Sequence, residues 1–259
     1  MEFKEIDRRS NGHHEGLLRL CFPNSNLNSK YLEWLYFTNP LGNVVGFDAM
    51  DGEVLAAHYA CIPTRVGDSL GLLSLNTATH PQYRSKGLYQ KLARMTYERW
   101  SQNFDFVVGV ANAQSSAAFV KHLGFTELGR LNLRFGDLHR PPAGDRRWTL
   151  SEINWRISSP RQYLKCRLTT DGRYELSVRP RNFPFRLKSL VSVLDGIDSS
   201  VEKASRSNYG FTVDWIKGNH PKIQLPDKLK PSPLTMIYQP LNKSDTEINS
   251  WSFPDFDAF

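Results

Sequence analysis

The residues with the clearest chemical potential lie in Leu75–Leu92, LNTATHPQYRSKGLYQKL. An apolar, β-type run ends at Thr79, Pro81 blocks its continuation, and the polar loop Gln82–Lys86 leads into an amphipathic helix opening near Gly87. A strand–loop–helix junction of this kind collects unpaired backbone N–H groups at the positive end of a helix dipole, which suits a phosphate group. Gly87 lets the main chain approach an anion closely, and Arg84 and Lys86 add charge. The order of residues is neither the GxxxxGK[ST] loop nor GxGxxG. Two histidines, His58 and His80, have side chains whose ordinary pKa suits general-base work near neutrality. The chain end, SFPDFDAF, carries three aromatics, and docking of so apolar a tail would make the terminal carboxylate of Phe259 a third candidate base.

The elements that must position these groups follow from periodicity. Phe3–Ile6 reads as a short strand, and residues 13–21 and 28–37 read as helices, the second after the capping pair Asn28-Ser29. Val44–Met50 and Glu53–Val66 are β-rich and flank Asp51-Gly52, a hairpin signal; Leu70–Thr79 is a third such run. Leu88, Leu92, Met95 and Arg99 then fall on one helical face, Phe106–Val110 reads as a buried strand, and Ser115–Leu123 as a helix closed by Gly124. A strand is expected from Phe125 to Phe135. This alternation predicts an α/β (α+β) fold, a mixed sheet with helices on its faces. Arg140–Arg147 is the expected linker, giving units 1–139 and 148–259, the latter a smaller α/β lobe with runs at Tyr174–Val178, Leu187–Leu194, 199–207, Phe211–Ile216 and Leu234–Tyr238. A faint repeat links the two. Trp34 precedes Asn39-Pro40 and the turn Asp51-Gly52, while Trp155 precedes Ser159-Pro160 and Asp171-Gly172, so the second lobe reads as a degenerate copy of the first or as chance similarity.

Composition narrows the class. At 259 residues, with 40% apolar and 23% charged residues, the chain is neither disordered nor a disulfide-stapled mini-domain. Its net charge of +7 is local, because residues 130–188 hold 14 Lys/Arg against 5 Asp/Glu. That excess is either an anion footprint or a solvated basic face. No nucleic-acid-binding pattern accompanies it, so nucleic acid is not an expected partner. Three cysteines, Cys21, Cys61 and Cys166, show no CxxC or Cys/His clustering, which predicts no metal and a cytoplasmic location. The first ten residues lack a secretory h-region, and no run is apolar enough for a membrane span.

Arg84-Ser85-Lys86-Gly87-Leu88-Tyr89, following His80-Pro81, resembles the pyrophosphate loop of the GNAT (Gcn5-related N-acetyltransferase) superfamily, whose pattern is Arg/Gln-x-x-Gly-x-Gly/Ala. Phe106–Val110, then Asn112, Ser115, Ser116 and Phe119–Phe125, is similar to the strand–helix segment ending in Gly-Phe of that superfamily. The likeness covers roughly residues 1–135. Tyr31, Trp34 and Asn39-Pro40 resemble the branch with two-lobed members and bacterial surface-sugar acetyltransferases. The resemblance implies a splayed mixed sheet that binds acetyl-CoA, with the backbone of Thr77, Ala78 and Thr79 pairing with the pantetheine arm. Arg84, Ser85, Lys86, Gly87, Leu88 and Tyr89 would hold the pyrophosphate, with Asn112 and Ser116 completing the donor site. It implies direct attack of a small-molecule amine on the thioester, with an amino sugar or nucleotide-linked amino sugar among the acceptors and no covalent enzyme intermediate. Alternatives on the same fold are an aminoacyl- or long-acyl transferase and a non-catalytic acyl-CoA-binding module. The sequence departs from the pattern at Tyr89, where a small residue is usual, and at Val120, where a tyrosine acid is frequent. It also has no carboxylate in Leu70–Thr79, so the base must come from elsewhere.

Overall fold

The structure is a computed structural model. It describes residues 1–138, 148–161, 164–180, 183–196, 209–218, 222–229, 234–242 and 246–256, together with 198, 201 and 202. The expected linker Arg140–Arg147 and most of the run 199–207 lie outside the described residues.

The first half is β1 (Glu2–Glu5), α1 (Asn11–Cys21), α2 (Ser29–Phe37), β2 (Val45–Asp51), β3 (Val54–Val66), β4 (Ser69–Thr79), α3 (Leu88–Trp100), β5 (Phe106–Ala111), α4 (Ala113–Leu123), β6 (Thr126–Arg130) and β7 (Asn132–Asp137). The second is α5 (Leu150–Ile157), β8 (Lys165–Leu168), β9 (Tyr174–Val178), β10 (Leu187–Val191), β11 (Tyr209–Ile216), β12 (Ile223–Gln224), β13 (Thr235–Pro240) and β14 (Ser250–Ser252). Local chemistry explains several helix boundaries. The Asn28 carboxamide accepts from the Tyr31 N–H to start α2, and Asn112 does the same for Ser115 at α4. Gly124, at φ 75°, closes α4 in the left-handed conformation. Thr149 and Glu152 form a reciprocal capping box on α5.

The strands make two mixed sheets, ordered β1-β2-β3-β4-β5-β13-β6 and β12-β7-β11-β10-β9-β8. This meets the expectation of a mixed, splayed sheet with flanking helices beside a smaller α/β lobe. The continuous strand expected over Phe125–Phe135 is instead two, broken at buried Leu131, and they enter different sheets. β7 pairs with β11 in the second sheet, whereas β13 crosses back to lie between β5 and β6 in the first. Each half thus lends one strand to the other, and the expected division at 139/148 is crossed twice.

The faint repeat becomes a spatial one. Helix, hairpin with an Asp-Gly turn, third strand and parallel partner recur as α2-β2-β3-β4-β5 and α5-β8-β9-β10-β11. Gly52 and Gly172 both have positive φ in their turns, at 61° and 77°. Trp34 and Trp155 stack with ring centroids 4.7 Å apart, and each indole N–H donates to the other's backbone carbonyl, at 3.0 and 3.3 Å. One apolar core, including Leu18, Leu35, Leu133, Trp215 and Trp251, runs beneath α1 and α2 and through both sheets. A second, with Leu92, Tyr97, Val107 and Phe119, lies beneath α3 and α4.

Candidate functional site: a cleft with a buried polar chain

β4 and β5 pair in parallel only over Leu72–Ser74 against Val107–Gly109. Beyond that they part, because β4 bulges. Its register against β3 shifts between His58 and Ala60, and Asn76 sits in the left-handed region at φ 51°. On the side of α1 and α2 the divergence opens into a cleft of about 350 Å³, lined by Ser74, Leu75, Asn76, Thr77 and Val110 from the two strands. Phe22, Leu27 and Tyr31 add apolar wall, and the second half contributes Arg161, Leu234 and Phe256. The Arg161 guanidinium lies 5.4 Å from the Tyr31 ring centre, and burial lowers its pKa.

The loop between β4 and α3, where the sequence leads to the expectation of an anion cradle, lies at the surface. Ser85 (φ 64°) and Gly87 (φ 69°) are both left-handed, and successive N–H groups in such turns converge on one concavity. Arg84, Ser85, Lys86 and Gly87 are exposed, no side chain caps α3, and a methyl group added at Gly87 would meet only Gln90 Oε1, at 3.7 Å. Leu88 is buried beneath α3. Tyr89 is half-buried, its ring centre 6.3 Å from that of Phe119. Thr77 lines the cleft, while Ala78 and Thr79 pair along β3 with His58 and Ala57. Asn112 caps α4, and the Ser116 hydroxyl donates to Glu127.

The structure separates the two candidate histidines. His80 accepts from the Gln82 N–H at the start of a short 3-10 turn and lines a surface groove with Arg9, His13 and Val54, away from the cleft. His80 is therefore no cleft residue; Pro81 turns the chain outward there. His58 is fully buried on β3 and does not line the cleft either. It belongs to a buried chain of hydrogen bonds that ends there. His14 Nε2 and His58 Nδ1 lie 2.7 and 2.6 Å from the two oxygens of Asp48, Tyr36 Oη is 2.9 Å from His58 Nε2, and Asn76 Nδ2 is 3.1 Å from Tyr36 Oη. Burial acts to raise the Asp48 pKa, but His58 and His14 outweigh it and hold the group well below the usual carboxylate range. Burial, helped by His14 and opposed by Asp48, lowers the His58 pKa. Burial raises the Tyr36 phenol. His14, Asp48 and His58 offer ligand atoms within 4.8 Å of one another, as a metal set would, but their N···O separations are those of direct hydrogen bonds.

Sequence reasoning sought a carboxylate on β4 and missed Asp48, two strands away. Phe259 lies outside the described residues; Phe256, three positions earlier, lines the cleft, and its carbonyl accepts from the Arg156 guanidinium at 2.7 Å. Burial pushes the Cys61 thiol up to about 12 and Cys166 to about 11, so neither is an activated nucleophile. Part of the basic excess is spent internally: Arg134 pairs with Asp214 and Lys188 with Glu175.

No protein-family model and no curated protein matches the sequence. Among solved structures, an aminoglycoside 6'-acetyltransferase type Ii is 19% identical, at a TM-score of 0.43 over 51% of this chain and 87% of that one. An aminoglycoside 6'-N-acetyltransferase complexed with coenzyme A is 16% identical, with TM-score 0.42 over 51% and 88%. A GCN5-related glucosamine N-acetyltransferase region of a fungal multi-domain GH3 β-N-acetylglucosaminidase is 14% identical, with TM-score 0.45 over 66% and 21%. No helix among the described residues is long and apolar enough to cross a membrane.

Proposed function

We propose that this chain is a GNAT-type N-acyltransferase that moves an acetyl group from acetyl-CoA directly to a small-molecule amine, working in the cytoplasm. The observation that carries the reading is that two features adjoin on one strand: β4 diverges from β5 at the bulge, and the chain that leaves β4 passes through the short turn Pro81–Tyr83 to the exposed Ser85–Gly87 cradle. A diphosphate at the cradle and an extended arm beside the free edge of β5 would lie in one line. The backbone of Arg84–Tyr89 would hold the diphosphate, with the dipole of α3 favouring its charge. The parted strands would align thioester and amine, and alignment alone is a large part of catalysis in such transfers. The buried, high-pKa thiol of Cys61 fits direct attack by the amine rather than an acyl-cysteine route through that residue.

For the acceptor, Arg161 supplies a cation at the cleft wall, which Tyr31 and Phe256 also line. Those groups suit an amino sugar, and Arg161 suits one that carries phosphate, as a nucleotide-linked sugar does. The apolar character of the rest of the wall favours a second reading, transfer of a longer acyl chain. Calorimetry with desulfo-CoA, and thiol release from acetyl- and octanoyl-CoA with a panel of amines, test both. The first reading expects binding of desulfo-CoA and amine-dependent thiol release favouring acetyl-CoA. Arg161→Ala should raise the acceptor KM about tenfold while leaving donor binding unchanged. Donor binding without thiol release from any amine would leave a non-catalytic module, and no donor binding would overturn the assignment.

A further inference from the structure

We propose that Asn76 is the acceptor-binding residue that receives the N–H of the incoming amine, and that the buried series Asp48–His58–Tyr36 holds its carbonyl oxygen toward the cleft. The role for the amine rests on the acyl-transfer reading; the orientation of the amide follows from hydrogen-bond direction alone. A carboxylate only accepts, so His58 Nδ1 must carry the proton it shares with Asp48, at 2.6 Å. In the neutral ring Nε2 is then bare and can only accept, so the Tyr36 hydroxyl donates to it, at 2.9 Å. With its proton spent, the Tyr36 oxygen is left as an acceptor, and Asn76 must offer it the NH2 end, at 3.1 Å. The Asn76 carbonyl is thereby turned from Tyr36 by a charge three hydrogen bonds away, and it carries no hydrogen bond of its own among the described residues.

Two observations fit a working group. Asn76 lines the cleft at the point where β4 leaves β5, and it is held at φ 51°, a conformation that costs a side-chain-bearing residue some strain. The same logic sets a pH limit. When His58 is protonated, both ring nitrogens donate, Tyr36 must reverse, and the Asn76 amide turns its NH2 end to the cleft, where it opposes an amine. The groups facing His58 are Asp48 from β2, His14 from α1 and Tyr36 from α2, with the Cys61 thiol also acting on Tyr36.

The test uses the full chain as wild type, Asp48→Asn and Tyr36→Phe, with glucosamine as the probe amine at the head of a primary-amine panel. An amide in place of Asp48 frees the imidazole to take the other tautomer, and Phe removes the oxygen that Asn76 grips. Both variants should raise the amine KM about tenfold or more, with desulfo-CoA affinity held within about twofold. In 15N NMR from about pH 8 down to the acid limit of the folded chain, the wild-type Asn76 side-chain amide should move as the His58 ring nitrogens show protonation, and Tyr36→Phe should abolish that movement. Thermal melts identify any variant that fails to fold, in which case the NMR titration of the wild type decides. An unchanged amine KM in both folded variants, or an Asn76 amide that stays still while the His58 ring resonances titrate, would overturn the proposal. If the wild type neither binds desulfo-CoA nor releases thiol, the acyl-transfer reading fails and the amine role falls with it, while the NMR readout still decides the amide's orientation.

Discussion

The two halves solve the same geometric problem in opposite ways. Each contains a parallel strand pair that holds together briefly and then parts, β4 with β5 and β10 with β11; the second pair meets only at Leu187 and Phe211. In the first half, the edge of β5 beyond Gly109 is met by no strand from the β4 side among the described residues, and Val110 faces the cleft. In the second half the corresponding edge is taken by the chain itself. β14 pairs antiparallel with Asp214–Ile216, and Ser252 Oγ lies 3.1 Å from Ser189 Oγ on the departing β10. A gap in a sheet exposes backbone groups that demand partners. The second half satisfies them internally and gains a closed lobe, whereas in the first Val110 borders the open cleft. On the acyl-transfer reading, one donor site per chain is expected.

The sharpest way to break this comparison is at the contact that relates the halves. Trp34→Ala removes a buried indole from the stack with Trp155 and should cost about 3 kcal/mol or more, read by denaturant unfolding. The double variant with Trp155→Ala should lose much less than the sum of the two, because both changes delete one shared contact. Independent, additive losses would mean that the stack does not couple the halves. Next in size, Gly87→Val forces a β-branched residue into φ 69° at the cradle and should weaken desulfo-CoA binding about 100-fold, with the fold retained. Wild-type calorimetry should give a stoichiometry of one; two sites would show that β14 does not close the second half. The smallest expected effect is on pH. His58 has a lowered pKa in the folded chain against 6.5 when unfolded. Above 6.5 neither state is charged; below it the unfolded chain takes up a proton that the folded one refuses. Stability should therefore fall as the pH drops from 6.5 toward the folded value, by at most about 1.4 kcal/mol per pH unit, and then level off. Melting temperatures at closely spaced pH values check this, and His58→Gln should flatten the slope over that window.

The parts of the molecule legible in the sequence were those with local causes. Gly87, Asn112 and Gly124 announce helix ends through caps and positive φ, and Asp51-Gly52 announces a hairpin, because each needs only its neighbours. The exchange of β7 and β13 depends on pairings between residues more than a hundred positions apart in the case of β13 with β5, and no local pattern encodes it. Asp48 escaped for a subtler reason. Continuing the Asp51–Val54 turn in simple register would set Asp48 opposite Ala57, leaving His58 on the other face of the sheet. A bulge between Ala49 and Met50 shifts the hairpin by one residue and brings Asp48 against His58. One inserted position creates the buried carboxylate–imidazole pair, and alternation of residue types gives no sign of it.

The lent strands also constrain how the protein is born. While the chain leaves the ribosome, residues up to Arg130 can assemble their hairpins and helices, yet β5 and β6 must wait with bare edges until β13 emerges. Such edges are templates for pairing with other molecules. Between the synthesis of Arg130 and that of Thr235 the nascent chain is therefore an aggregation-prone half, and β5 gains its second neighbour only when β13 has been made.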